Sequence, residues 1–78
     1  MIPEAGVSFS KALDLVKSGH KIARLGWNGK GLWIGIQRPD ANSKMTMPYL
    51  YLNYPAGGRV PWLASQTDLL EEDWILVA

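Results

Sequence analysis

Phe9, Ala12, Leu13 and Val16 recur at i, i+3, i+4 and i+7, the apolar stripe of a short amphipathic helix. Ser8 suits the N-cap, Gly19 the left-handed closing position and Lys17 the last turn, which predicts a helix over residues 9–18. His20, just beyond, reads as a partner of the helix dipole. From Lys21 the period drops to two. Residues 21–24 and 32–37 read as strands, joined by a connection from Gly26 to Gly31 whose Asn28-Gly29 pair signals a hairpin turn. Residues 38–47 form a polar loop. Tyr49 to Tyr54 alternates, with the tyrosines assigned to one face and the leucines to the other. A turn follows at 55–58, then a short extended piece at 59–62 and a turn or single helical turn at 65–72. Trp74-Ile75-Leu76-Val77 is apolar on both faces, which predicts a central strand. Residues 1–7 read as a lead-in arm or short edge strand. The order gives an α+β domain: a small antiparallel sheet with one N-terminal helix packed on it, in a single unit spanning residues 1–78.

Composition then narrows the chemistry. A domain of 78 residues buries only about 60% of its unfolded surface. It has no cysteine and one histidine, so neither a disulfide nor an ordinary zinc site is expected. Assembly with copies of itself is the usual remedy for a thin core, and four tryptophans fit that expectation. The net charge of +1 gives no argument for nucleic acid. Its distribution is uneven: residues 17–59 hold seven cations against Asp40, whereas residues 60–78 hold Asp68, Glu71, Glu72 and Asp73 with no cation. The alternatives are a solvated basic face with an acidic turn, or a basic pocket for phosphates. With no basic-flanked apolar leader and no run long enough to span a bilayer, the expectation is a soluble intracellular protein without membrane partners.

Two segments stand out. Ala23-Arg24-Leu25-Gly26-Trp27-Asn28-Gly29-Lys30-Gly31-Leu32-Trp33 combines π faces, glycines, an amide and cations, as a flat anionic partner requires. Its spacing matches neither a P-loop nor a dinucleotide fingerprint, and a glycine-rich hairpin with tryptophan anchors explains it equally. Pro61-Trp62-Leu63-Ala64-Ser65-Gln66-Thr67-Asp68 follows proline and tryptophan with small polar residues. Ser65 with Asp68, or Asp68 with Glu71, fits a capping box. The alternative is a loop whose Asp68 bonds a ribose diol. Glu71, Glu72 and Asp73 read as a solvated acidic face. No nucleophile–base–orienter set is visible, so no enzymatic activity is expected.

Taken together, Ala23 to Gly31, Pro61 to Leu70 and Asp73-Trp74 resemble the second Thoeris anti-defence family of small bacteriophage proteins, and the resemblance covers about residues 8–78. The resemblance implies a sponge. Such proteins bind a cyclic ADP-ribose isomer, the alarm signal of bacterial Thoeris immunity, without degrading it, in the cytoplasm of the infected host. It further implies a homodimer or homotetramer with pockets between protomers, and capture of cyclic di- or trinucleotides by some members. Carried onto this chain, Trp27 stacks on the adenine, while Asn28 and the backbone at Gly29 bond a base edge or phosphate. Lys30, with Arg24 or Arg59 chosen from charge, meets the pyrophosphate. Ser65, Gln66, Thr67 and Asp68 line the ribose side, and Trp62 holds that loop. The competing readings are an enzyme that cleaves the same signal through Asp68 or Glu71, a module for RNA or single strands, and a ligand-free structural oligomer.

Overall fold

The helical stripe closes on itself at both ends before it meets the sheet. In the computed structural model, which describes residues 6–27 and 31–77, α1 runs Phe9–Lys17. The Ser8 side chain accepts from the Lys11 amide at 3.3 Å, and Gly19 takes φ 99° while donating to the Val16 carbonyl at 3.0 Å. Ala12 and Val16 are fully buried, with Phe9 and Leu13 packed beside them. A tie from outside the helix satisfies one more terminal carbonyl: Arg38 Nη2 donates to Lys17 O at 2.7 Å. That bond anchors the start of the 38–48 loop, which Asp40 folds further by accepting from Asn42 N at 2.8 Å and Ser43 Oγ at 3.1 Å.

Among the described residues five antiparallel strands follow: β1 Lys21–Arg24, β2 Trp33–Gln37, β3 Tyr49–Asn53, β4 Arg59–Pro61 and β5 Trp74–Val77. A short helix α2, Gln66–Leu70, lies between the last two. The spatial order is β4-β3-β2-β1-β5. The first four strands form a meander, and the chain returns through α2 to lay β5 beside β1. Registers set the faces. Ile22 pairs with Ile34 and with Leu76, and Ile34 pairs with Leu52. By the two-residue repeat these share one face with Arg24, Ile36, Leu50 and Trp74. Helix α1 covers that inner face over β1, β2 and β5. Ala12, Val16, Ile22, Ile34 and Trp74 form the fully buried core.

The outer face carries Lys21, Ala23, Trp33, Gly35, Gln37, Tyr49, Tyr51, Asn53 and Arg59. Trp33 and Tyr51 lie 5.7 Å apart, edge to face. They close over Gly35, where a Cβ would come within 2.8 Å of the Tyr51 hydroxyl and 2.9 Å of the Trp33 ring. Any larger residue there would push one of the two rings aside. Lys21 Nζ sits 4.5 Å from the Trp33 ring centre, and the Arg59 guanidinium 5.0 Å from that of Tyr51.

Two expectations change. Among the described residues, strand β5 is not central: it pairs with β1 on one side, and its other edge receives one bridge, from Val7. On its inner face Trp74 packs into the core with Ala12 and Val16 of α1, while Ile75, Leu76 and Val77 are all half-buried. Tyr54 does not join the other tyrosines. Residue parity puts Asn53 on their face, and Tyr54 lies exposed beyond the strand end. The expected hairpin connection does join β1 to β2, while its Asn28-Gly29 turn lies outside the described residues.

Candidate functional site

The two unusual segments meet at Trp74. This side chain is fully buried and donates from Nε1 to the Asp68 carbonyl at 2.9 Å. Trp27 meets its ring edge to face at 5.6 Å, and Trp62 meets it similarly at 5.9 Å. Phe9 completes the cluster at 5.3 Å. The first segment thus contributes Trp27, the second Trp62 and Asp68, and the C-terminal strand supplies the surface on which they converge. Trp62 is held by its amide, which donates to Leu50 O at 2.9 Å. Trp27 is half-buried at the end of β1.

Beside this cluster lies an ionic one. Arg24 Nη1 reaches Asp68 Oδ1 at 2.9 Å, and Arg24 Nε reaches Asp73 Oδ1 at 2.9 Å. The second oxygen of Asp73 accepts from Gly26 N at 3.2 Å, and that of Asp68 from Ser65 N at 2.9 Å. The Ser65 hydroxyl accepts from Asp68 N at 3.1 Å, completing a capping box at the start of α2. The arrangement fixes the charges. Hydrogen bonding from Arg24, aided by the Gly26 amide against partial burial, holds the Asp73 carboxyl below its ordinary range. Partial burial pushes Asp68 up, but the Ser65 amide and the Arg24 guanidinium outweigh it, and the net shift is downward. The bond to Asp73 in turn raises Arg24, against the opposing effect of burial. All three groups remain ionised near neutral pH, and each carboxylate spends both oxygens within the protein.

The structure therefore brings Arg24, Trp27, Trp62, Ser65 and Asp68 together. Gln66 and Thr67 stand exposed on the first turn of α2 beside them. Asn28, Gly29 and Lys30 lie outside the described residues. Arg59 belongs elsewhere. It sits on β4, on the outer face, bonding Asn53 Oδ1 at 2.9 Å and covering Tyr51. Charge along the chain could not separate Arg24 from Arg59, because faces are assigned only by strand register.

Sequence reasoning missed Asp73, which read as part of a solvated acidic run. Glu71 and Glu72 are exposed, whereas Asp73 is half-buried and paired. The available signal was its place directly before Trp74, where a strand begins next to Arg24. Among the described residues, no group of three or more His, Asp or Glu could hold a metal ion. No described helix is long and apolar enough to cross a membrane. An open hollow of about 230 Å³ lies on the other side of the molecule, between the 38–48 loop, Gln37 and Tyr49. Around α2 the surface is unusually apolar, with Leu63 92% and Leu70 76% exposed.

These motifs have counterparts in known proteins. The Thoeris anti-defense 2-like domain model matches residues 7–77. The chain belongs to that family. Thoeris anti-defense 2 of Bacillus phage SP01 is 34% identical to it over 85 residues, covering 92% of this chain and 96% of the phage protein. The match takes in both motif segments and the β5 strand on which they meet. It identifies an anti-defence protein directed at Thoeris immunity, built on a helix-covered antiparallel sheet.

Proposed function

We propose that this protein acts inside the infected bacterial cell as a sponge. It binds the cyclic ADP-ribose-type signal of Thoeris immunity, glycocyclic ADP-ribose, and withholds it from the effector without cleaving it. The observation that carries this reading is the convergence of both motif segments on Trp74, which sets Trp27 beside the 65–68 loop at one end of the sheet. A tryptophan face there stacks on the adenine, contributing roughly 1–3 kcal/mol. Exposed Gln66 and Thr67 supply polar groups for the ribose side. A cyclic ligand has little conformational freedom left to lose, so a preformed site retains it well.

Capture without cleavage is favoured by the state of the nearby carboxylates. Asp68 and Asp73 are held ionised by Arg24 and by backbone amides, with their oxygens already engaged. A general acid needs a proton to give, and a general base needs a free oxygen facing the ligand. Two such groups tied to one guanidinium are suited to shaping a site instead.

The protein works as a homodimer or homotetramer with its pockets between protomers. Support comes from the exposed leucines beside the site, since apolar patches of this kind usually mark an interface. A partner on that surface would wall in a ligand that one protomer leaves open. Calorimetric titration with glycocyclic ADP-ribose, followed by heating and chromatography of the supernatant, tests the reading. Tight binding with intact ligand recovered is expected. An altered product would establish an enzyme, and no binding would remove the sponge reading.

A further inference from the structure

Asp73 is the point at which three separate parts of the chain are tied. Its carboxylate takes Arg24 Nε at 2.9 Å and Gly26 N at 3.2 Å, and its carbonyl takes Leu25 N at 2.9 Å. These bonds fix the three residues that lead into Trp27. Through Arg24 the tie continues to Asp68 at 2.9 Å, and from Asp68 to Ser65 N at 2.9 Å. The N-terminal arm closes on the same residue: Gly6 takes φ 83°, and a Cβ there would stand 2.8 Å from the Asp73 backbone. The 24–27 and 65–68 segments share no described hydrogen bond other than Arg24 with Asp68. Their relative placement therefore rests on the packing around Trp74 and on this ionic bridge.

We infer that Asp73 is a positioning residue for ligand capture. Together with Arg24 it sets the spacing between the Trp27 stacking face and the 65–68 loop, while touching no ligand itself. The inference rests on the sponge reading above and adds to it the residue that preorganises the site. A site held at its bound spacing loses less freedom on binding and releases its ligand slowly. Loosening Asp73 should then appear mainly as faster release.

The test measures release of glycocyclic ADP-ribose from the full chain for wild type, Asp73→Asn and Ile34→Val. Ile34→Val trims the buried core on β2, outside the Asp73–Arg24–Asp68 bridge, and controls for loss of stability alone. Each variant is measured well below its melting temperature. The expected result is release at least tenfold faster for Asp73→Asn, association within about threefold of wild type, and unchanged release for Ile34→Val. Should Asp73→Asn fail to fold, Asp73→Glu takes its place, because it keeps the carboxylate and displaces it by one methylene from Arg24 and Gly26. The same acceleration is expected. Wild-type release from the variant that folds overturns the inference and leaves the sponge reading standing. Equal acceleration in Ile34→Val also overturns it, since the effect would follow stability. Failure of the wild type to retain the probe removes the sponge reading, and the inference with it.

Discussion

The two sheet faces use the same kinds of residue in opposite ways. On the inner face, Arg24 lies between two carboxylates, and its tryptophan neighbours pack on one another around Trp74. On the outer face, Lys21 and Arg59 lie over the rings of Trp33 and Tyr51, and the polar partner described for Arg59 is an amide. The first arrangement neutralises a cation and locks two loops. The second keeps a half-apolar sheet surface charged and wet. A tryptophan near a basic residue therefore identifies no site by itself. What distinguishes the inner end is that separate stretches of chain are held in one geometry there.

The largest expected effect comes from removing the point of convergence. Trp74→Ala deletes the largest fully buried side chain, at a cost of about 3–5 kcal/mol. A domain this small has little more to lose. Thermal melts followed by circular dichroism should show no folded baseline near room temperature. A variant with a near-native transition would mean that the inner cluster is not the centre of the fold.

A smaller effect follows from acid. Asp68 and Asp73 titrate below their ordinary values when folded, so their contribution is present above the unfolded carboxylate pKa of about 4. It is lost as pH falls through the folded values. Asp73→Asn should flatten the acid limb of a plot of melting temperature against pH. An unchanged limb would show that the bridge adds no net stability.

The smallest effect belongs to the outer face. Arg59→Gln removes an exposed cation over half-buried rings, worth roughly 0.5–1 kcal/mol. That corresponds to a fall of several degrees at most in melting temperature for a domain of this size. A collapse of the fold would mean that the outer face is as tightly locked as the inner one.

Local pattern carried much of the architecture. The stripe from Phe9 to Val16, the Ser8 cap and Gly19 fixed α1 to within a residue of its end, because helix signals lie within a few positions of one another. The capping box at Ser65 was legible for the same reason. Strand order was less so. Apolarity on both sides of Trp74–Val77 shows that both faces are partly covered and leaves open how many neighbours the strand has. The candidate site was legible as two motifs, but the bond between them was not. Arg24 pairs with residues 44 and 49 positions away, and periodicity holds no information at that distance. The pairing of Asp73 and the outer-face position of Arg59 were not legible, because a charge count along the chain carries neither sheet face nor partner.

The most direct measurement compares retention of glycocyclic ADP-ribose by Trp27→Ala and Trp33→Ala, one tryptophan from each face. With the site at the inner end, Trp27→Ala should weaken binding by about 10- to 100-fold, the equivalent of one lost stacking contact. Trp33→Ala should stay within about twofold of wild type, with both variants shown to be folded. The reverse order, with Trp33 required and Trp27 dispensable, would contradict the placement of the site and move it to the outer face.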